Sequence, residues 1–151
     1  AHRDSIIKKI DVGKNEGAQI VVGGKSALVN GKGYYIEPTI FQNVKNSMTI
    51  AQEEIFGPVL AVILFETEEE VISLANSSCY GLASGVWTQD PAKALRIAVS
   101  LQAGTVWINA YNMFHAASPF GGYKESGFGR ELGKEALSAY LETKSVWMSM
   151  A

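Results

Sequence analysis

The sequence predicts an α/β fold in which an open, mostly parallel sheet is flanked by helices. Between residues 59 and 109, strand-length apolar runs alternate with segments of helical periodicity in the order β-α-β-α-β. Strands joined through helices pair in parallel, by right-handed crossovers. The run from Leu60 to Phe65 is apolar at every position. This pattern is typical of a strand that helices cover on both faces.

The composition narrows the classes of function. Of the 151 residues, 47% are hydrophobic and 19% are charged, which indicates a globular protein of about one domain. The formal net charge of −2 provides no positive field for a nucleic acid backbone. The longest apolar run, Val59 to Phe65, is too short to span a bilayer. The sequence therefore predicts neither a nucleic acid partner nor a membrane partner.

Cysteine and histidine are scarce. Cys79 is the single cysteine, so neither an internal disulfide nor a cysteine-based zinc site is available, which favours a reducing, cytoplasmic location. His2 and His115 are too far apart in sequence for a metal cluster. Cys79 has no histidine near it in sequence and is interpreted as a small buried or half-buried residue, and His115 as a hydrogen-bonded structural one. No metal site is predicted.

The N-terminal region predicts one helix and one short strand. Asp4 and Ser5 are residues that cap helices, and apolar residues follow them at helical spacing. Gly13 or Gly17 is expected to end this helix, because glycine accepts the left-handed conformation found there. The β-rich run Gln19 to Val22 predicts the first strand.

The central region predicts an extended segment, a helix and a strand. The segment from Tyr34 to Phe41 contains Pro38, which cannot donate to a strand ladder, so an edge or irregular strand is expected. Thr67 and Glu70 have the spacing of a capping box and predict a helix. The next strand is predicted over residues 81–88.

Asp90 and Pro91 predict the start of the following helix, and Gly104 its end. The run Thr105 to Ile108 is then predicted as a third buried strand. Residues 110–129 are rich in glycine, serine and aromatics. A loop of this length inside a compact domain is usually functional.

A helix over residues 130–141 and a β-type tail over residues 143–150 complete the prediction. In that tail, Val146 and Met148 lie on one face and Trp147 on the other. Both faces are therefore apolar, and a strand of this kind needs a covering partner.

Two adjacent carboxylates, Glu53 and Glu54, precede the apolar run Ile55 to Val59. They come immediately before a predicted buried strand, near the end of the sheet where open α/β proteins bind ligands. From composition alone, a solvated acidic turn is the simpler interpretation.

Several motifs resemble those of the aldehyde dehydrogenase superfamily, in the order and spacing of that family. They are Glu53-Glu-Ile-Phe-Gly-Pro-Val59, Ala75-Asn76, Tyr80-Gly-Leu82, Gly104-Thr-Val-Trp-Ile-Asn109 and Ser118-Pro-Phe-Gly-Gly-Tyr-Lys-Glu-Ser-Gly-Phe-Gly-Arg-Glu131. The resemblance extends from the first helix to the last strand. It implies an NAD(P)-dependent enzyme that oxidises an aldehyde to a carboxylic acid through a cysteine thiohemiacetal and a thioester.

The resemblance places this chain in the C-terminal third of such a subunit, and it implies that residues 1–141 are the C-terminal part of the catalytic region and residues 142–151 an oligomerisation strand. The cofactor-binding domain, the nucleophilic cysteine and the general base glutamate are then expected upstream of Ala1, so no catalytic residue is assigned here. Cys79 follows the Ile-Phe-Gly-Pro motif, whereas the nucleophile of the family precedes it. Assembly with the missing N-terminal portion of the subunit, and into a homodimer or homotetramer, is implied.

Site roles also follow from the resemblance. Glu54 is expected to accept hydrogen bonds from the nicotinamide ribose of NAD or NADP, and Phe56 to pack beside the nicotinamide. The expected residues of the aldehyde pocket are Phe114, Phe120, Met113 and Asn109, with His115 nearby. Apolar walls favour a neutral aldehyde of medium size. The alternative is a truncated, non-catalytic α/β module with only a binding or assembly role.

Overall fold

The computed structural model describes residues 1–150, which divide into two compact units: residues 1–67, and the residues from 68 onward. The sequence contains no linker rich in proline or serine at this boundary, and it predicted one domain. A boundary between two α/β elements needs no special composition, because any exposed turn can provide it. Each unit is described separately below.

The first unit combines two helices with two small sheets. Its elements are α1 (His2–Asn15), β1 (Gln19–Val22), β2 (Ser26–Val29), β3 (Lys32–Ile36), β4 (Thr39–Gln42), α2 (Thr49–Gln52) and β5 (Val59–Ala61). Strand β4 lies at the centre of a three-stranded sheet, antiparallel to β1 and parallel to β5, and Ile40 is paired with Leu60. Strands β2 and β3 form a separate antiparallel pair.

Helix α1 begins at His2, before the predicted caps Asp4 and Ser5. The N–H of Ser5 already donates to the carbonyl of Ala1 at 3.1 Å, which completes a helical turn before the expected cap. The terminal ammonium of Ala1 lies 3.4 Å from the Asp4 carboxylate, and a negative charge in the first turn stabilises a helix. Gly17, with φ of 99°, follows the helix, whereas Gly13 lies inside it.

The core of the first unit lies between α1, α2 and β4. Its buried members are Ile6, Ile10, Ala18, Phe41, Val44, Met48 and Ile50. Gly13 is part of this packing, because a β-carbon there would come within 2.8 Å of the Ile50 side chain. The extended segment predicted as an edge or irregular strand is interrupted at Pro38, which separates β3 from β4. Only the edge alternative is wrong for β4, which is central in its sheet: Pro38 precedes the strand, so every residue of β4 retains its N–H.

Strand β5 is shorter and more exposed than the predicted Leu60–Phe65 strand. It ends at Ala61, and 57% of the surface of Leu60 is exposed. Leu64 and Phe65 are exposed as well. Within residues 1–67, β5 pairs only with β4, and no helix covers both of its faces in the way that the apolar pattern predicted.

The second unit contains α3 (Glu68–Asn76), β6 (Tyr80–Gly81), β7 (Ala83–Val86), α4 (Pro91–Ser100), β8 (Thr105–Ile108), β9 (Tyr123–Lys124) and a 3₁₀ helix at Lys134–Ala139. Strands β7 and β8 pair in parallel, with α4 as the crossover, as predicted. Strands β6 and β9 form an antiparallel pair. The β-α-β-α-β order therefore does not form one continuous sheet, because β5 pairs with β4 and β7 with β8.

The start of α4 agrees with the sequence prediction. The Asp90 carboxylate accepts hydrogen bonds from the N–H groups of Ala92, at 2.9 Å, and Lys93, at 3.1 Å. These bonds favour the ionised form, and the pKa of Asp90 is therefore lowered, with the bond from Lys93 as the largest cause. Pro91 occupies the first turn, where a missing N–H has no cost.

The C-terminal predictions are only partly realised. The helix predicted for residues 130–141 is a six-residue 3₁₀ helix, Lys134–Ala139. Gly133, with φ of 59°, immediately precedes it and breaks the helical pattern. Residues 142–150 form no strand pairing within residues 1–150, and 95% of the Trp147 surface is exposed. The strand prediction for this tail required a partner from elsewhere and stays a prediction.

No helix within residues 1–150 has the length and apolar character needed to cross a bilayer.

Candidate functional site

The turn between α2 and β5 presents the predicted cofactor-binding pair. Glu54 and Phe56 are both exposed, and the Glu54 carboxylate makes no hydrogen bond within residues 1–150. Ile55, which lies between them, packs against the buried core. Ile55 therefore anchors the turn to the core, while the Glu54 carboxylate and the Phe56 ring on either side of it face outward.

Phe56 adopts a backbone conformation that is unusual for a bulky residue. Its φ is 55°, in the left-handed region, which costs such a residue of order 1–3 kcal/mol. The ring is 71% exposed and contacts His2 edge-on, with the ring centroids 6.0 Å apart. Gly57 follows, and a β-carbon there would lie 2.8 Å from the buried Ile6 side chain. Close packing under Gly57 thus fixes a strained turn that projects an exposed ring.

Lys9 of α1 reaches the same turn from 44 and 45 residues away in sequence. Its ammonium donates to the Glu53 carboxylate at 2.8 Å and to the main-chain carbonyl of Glu54 at 3.0 Å. Of the two adjacent carboxylates, Glu53 is therefore paired and Glu54 is left available. Sequence reasoning did not find Lys9, because a basic residue on a helix surface carries no signal of so distant a partner.

In the second unit, the aromatic loop residues form a continuous series of ring contacts. Phe114 and Phe120, two of the predicted pocket walls, meet edge-on with their centroids 5.0 Å apart. Trp107 contacts Phe114 at 5.7 Å and Tyr111 at 5.0 Å, and Tyr111 stacks on Trp87 at 6.2 Å. Aromatic pairs in this geometry contribute about 0.5–1.5 kcal/mol beyond the area that they bury.

Met113 is fixed to this series through its backbone. Its carbonyl accepts a hydrogen bond of 2.8 Å from the indole N–H of Trp107. The next residue, Phe114, packs edge-on against the same indole. One tryptophan on β8 thus holds two of the predicted pocket residues, and the loop has defined geometry although it has little regular secondary structure.

Asn109 orders the start of the loop. Its Oδ1 accepts from the N–H of Thr88 at 2.9 Å, and its Nδ2 donates to the carbonyl of the same residue at 2.8 Å. Its own N–H donates to the carbonyl of Val86 at 2.8 Å. These bonds extend the β7–β8 pairing beyond the strand ends, where Asn109 turns the chain with φ of 51°. The geometry is that of a loop-ordering residue.

Asn109 also lies on a cavity of about 410 Å³. The other lining residues are Trp87, Thr88, Gln89, Pro91, Ala94 and Ile108. Of the four predicted pocket residues, only Asn109 lines this cavity. Met113 and Phe114 contact Trp107, and Phe120 contacts Phe114. The structure therefore brings three of the four together and places the fourth at the base of their loop.

The glycine-rich segment after Phe120 folds back on the sheet. Phe120 and Glu131 exchange two backbone hydrogen bonds of 2.7 Å. The Lys124 ammonium donates to the carbonyls of Asn76, at 2.6 Å, and Ser78, at 2.9 Å, while Arg130 donates to the carbonyl of Gly122 at 3.0 Å. Lys124 therefore joins this segment to the end of α3 and the turn after it, whereas Arg130 binds the backbone of the segment itself. The sequence analysis gave no role to these two basic residues.

The two residues that the sequence analysis set aside make no site. His115 accepts a hydrogen bond from the N–H of Ala117 through Nδ1, at 3.2 Å, which agrees with a structural role. Cys79 is exposed, so its interpretation as a buried or half-buried residue is wrong. It lies in the turn between α3 and β6, which leaves little room for burial. Within residues 1–150, no group of three or more potential metal ligands is found.

The parallel β7–α4–β8 unit, the anchored acidic turn and the ordered aromatic loop belong to an α/β protein. Residues 1–146 match the family described as "Aldehyde dehydrogenase family". The chain belongs to the aldehyde dehydrogenase family.

Known proteins of this family are similar over nearly the whole chain. A human mitochondrial aldehyde dehydrogenase is 53% identical over 141 residues, covering 93% of this chain and 27% of that protein. A betaine aldehyde dehydrogenase of Rhizobium leguminosarum is 51% identical, covering 99% of this chain and 31% of that protein. The structure of a Bacillus cereus aldehyde dehydrogenase in complex with NAD⁺ matches with a TM-score of 0.94 and 53% identity, covering 99% of this chain and 30% of that one.

The fold prediction is thereby confirmed at the level of the family. The chain spans about 30% of the length of these relatives. Strands β5 and β8 belong to the family fold even though they pair in separate sheets within residues 1–150.

Proposed function

We propose that this chain is the C-terminal third of an NAD(P)-dependent aldehyde dehydrogenase that oxidises an aldehyde to a carboxylic acid. The observation that carries the proposal is the turn at Glu54 and Phe56, where an unpaired carboxylate and an exposed ring stand on a strained, anchored backbone. Strain of this kind persists where the surrounding structure over-determines it, and it is common at ligand-binding sites. The likeness to an enzyme solved with NAD⁺ supports the same assignment.

The residues of this turn fit a nicotinamide cofactor. A carboxylate offers two acceptor oxygens to a pair of adjacent hydroxyl donors, as on a ribose, and such charge-assisted bonds are strong. The Glu54 carboxylate has no competing hydrogen bond within the described residues. The exposed Phe56 ring offers an apolar surface to the nicotinamide end. When bound, the cofactor accepts a hydride from the substrate. These contacts serve NAD and NADP equally.

The loop around Trp107 is proposed as one wall of the aldehyde pocket. Phe114 and Phe120 provide apolar surface, and the Trp107–Met113 hydrogen bond keeps their loop in place. Apolar walls of this type favour a neutral aldehyde of medium size. Asn109 supports the pocket by ordering the loop at its origin.

The remaining chemistry is assigned to the N-terminal portion of the same subunit. That portion carries the cofactor-binding domain, the nucleophilic cysteine that forms the thiohemiacetal and thioester, and the glutamate base. Exposed Cys79 has no base within hydrogen-bonding distance among residues 1–150, so it does not serve as the nucleophile. The alternative is a non-catalytic module with a binding or assembly role, which the largely exposed apolar residues of the tail favour.

The test compares the complete subunit with the 151-residue chain. The complete subunit is expected to form NADH or NADPH when supplied with medium-sized aldehydes, and the chain alone to form none, because it lacks a nucleophile. Substitution of Cys79 by Ala in the complete subunit serves as the control and should leave the rate unchanged. A complete subunit without aldehyde-dependent reduction, or an active chain that Cys79→Ala inactivates, would contradict the proposal.

Assembly and location complete the proposal. The tail from residue 142 pairs with another part of a homodimer or homotetramer in a cytoplasmic enzyme. Its apolar side chains at Val146, Trp147 and Met148 are all exposed within this chain. Apolar surface beside unpaired backbone amides calls for a covering partner. Isologous pairing across a two-fold axis covers both copies at once.

Deleting residues 143–151 from the complete subunit is expected to convert the defined oligomer into smaller species. The physical reason is the loss of the apolar strand and of its backbone pairing. Sedimentation velocity measures the change in mass. Trp147→Phe serves as the control and should retain the oligomer, because it keeps an apolar ring. An unchanged sedimentation coefficient after the deletion would assign the assembly to another surface.

A further inference from the structure

We propose that Lys9 is a positioning residue that sets the orientation of the Glu54 carboxylate for the cofactor. The inference rests on the proposed function, in which Glu54 binds the nicotinamide ribose. Lys9 contacts the two residues at the start of the turn, through the Glu53 side chain at 2.8 Å and the Glu54 carbonyl at 3.0 Å. It acts through the turn and need not contact the cofactor itself.

The charge arrangement supports this role. Two adjacent carboxylates repel one another, and a single ammonium that pairs with Glu53 relieves that repulsion and still leaves Glu54 free for a ligand. Only 27% of the Lys9 side chain is exposed, against 59% for Glu53. The lysine stem is therefore held by its surroundings. An ordered stem reduces the entropy lost when the ammonium is fixed between two acceptors.

The backbone contact is the more specific part of the arrangement. A bond to the Glu54 carbonyl fixes the peptide plane that follows Glu54, and this plane leads through Ile55 to the left-handed residue Phe56. Helix α1 is itself anchored through Ile6 and Ile10, which are buried in the core. The bond from Lys9 therefore fixes the exposed turn to a helix that is itself anchored in the core. Support of this kind is what keeps a binding group pre-organised.

A purely structural explanation is an ordinary surface ion pair. Such pairs contribute little to folding stability, typically between 0.2 and about 1 kcal/mol. The helix contains a matched example in Lys14, whose ammonium lies 2.6 Å from the Asp11 carboxylate three residues earlier. Lys14 has no contact with the Glu53–Gly57 turn among the described residues. Substituting each lysine in turn therefore separates the general loss of a surface ion pair from the loss of positioning.

The test uses Lys9→Met in the complete subunit, with Lys14→Met as the matched control. Lys9→Met is expected to raise the KM for NAD⁺ about fivefold, the size expected for losing one or two partly exposed hydrogen bonds. It should also increase the deuterium isotope effect with a 1-deuterated aldehyde, because hydride transfer becomes slower. Lys14→Met should change neither quantity. Thermal midpoints of the two variants should agree.

Two further variants make the test specific. Lys9→Arg should restore most of the NAD⁺ affinity, since a guanidinium can donate to both acceptors. Adding Lys9→Met to Glu54→Gln should cause little further loss, because a residue that acts through Glu54 has no effect once Glu54 is altered. Hydrogen exchange at the amides of residues 54–57 should be faster in Lys9→Met than in Lys14→Met.

The outcomes distinguish this inference from the proposed function. Equal kinetics for Lys9→Met and Lys14→Met, or a full additional loss when Lys9→Met is combined with Glu54→Gln, would overturn the role of Lys9 and leave the cofactor role of Glu54 intact. If Glu54→Gln alone left the NAD⁺ KM and the hydride step unchanged, the cofactor role of Glu54 would fail, and the positioning role of Lys9 with it.

Discussion

Glu54→Gln in the complete subunit is expected to slow hydride transfer by about 100-fold, the cost of a misplacement of about one ångström at a reacting centre. Glutamine matches glutamate in size but replaces one acceptor oxygen with an NH₂ donor and removes the charge. A ribose hydroxyl that donates to the carboxylate loses its partner. The turn itself should persist, because its anchors are Ile55, Gly57 and the Lys9 bond to the Glu54 carbonyl.

Single-turnover formation of NADH measures this step directly. Hydrolysis of the acyl-enzyme, followed with an ester substrate that bypasses hydride transfer, is expected to change much less. The matched control is Glu69→Gln, because Glu69 is an exposed glutamate of α3 that is not proposed to contact the cofactor or to support the turn at Glu54. An unchanged hydride step in Glu54→Gln, or an equal reduction of both steps, would contradict the assignment of Glu54.

Features that depend on neighbouring residues could be predicted from the sequence. The start of α4 is one example, because Asp90 and Pro91 supply the cap and the first helical φ within two residues. The strand Thr105–Ile108 is another, since its boundaries follow a glycine and precede Asn109. For α4 the decisive interactions, the bonds from Ala92 and Lys93 to Asp90, occur within one turn of the chain.

Features that depend on distant partners could not be predicted. The apolar run Leu60–Phe65 gave the correct location of a strand but the wrong length and burial, because these depend on what covers it. The structure of the tail around Trp147 likewise depends on what covers it. The last helix failed for a more local reason: Gly133 adopts a left-handed φ that a periodicity count does not register.

The candidate site shows the same division. Glu54 and Phe56 were found from their motif, yet the sequence indicates neither the left-handed φ of Phe56 nor the support from Lys9. Phe114 and Phe120, which the sequence analysis assigned to one pocket, meet in an edge-on ring contact, and Phe114 also packs edge-on against Trp107. The motif selects candidate residues, whereas the contacts that fix their orientation come from residues that it does not indicate.

Gly104→Ala is expected to have the largest effect on folding. A β-carbon at Gly104 would collide with the carbonyl oxygen of Gly121. The β-carbon is fixed to the main chain and the oxygen belongs to it, so neither atom can rotate away as the end of a side chain could. Gly104 also donates its N–H to the carbonyl of Gly81 in β6 at 3.0 Å. The start of β8 is therefore bonded to β6 and cannot easily move away from Gly121. Overpacking at such a contact destabilises by about 3 kcal/mol or more.

The matched control is Gly127→Ala, in the same glycine-rich segment. A β-carbon at Gly127 meets no atom within 4 Å, but the residue has φ of 114°, so alanine there costs only backbone strain of roughly 1–2 kcal/mol. The expected order of soluble yield, and of half-life at a fixed elevated temperature, is wild type, then Gly127→Ala, then Gly104→Ala. A half-life is the appropriate measure, because large subunits commonly unfold irreversibly.

The same contact links folding to the proposed pocket. Gly121 follows Phe120 directly, so any displacement that accommodates a methyl group at Gly104 moves the backbone beside one pocket wall. The fraction of Gly104→Ala that folds is therefore expected to show a raised KM for the aldehyde, whereas Gly127→Ala should retain the wild-type value. Equal half-lives for the two variants would show that the Gly121 backbone yields at little cost. An unchanged aldehyde KM in Gly104→Ala would show that Phe120 is positioned by its bonds to Glu131 and not by this close approach.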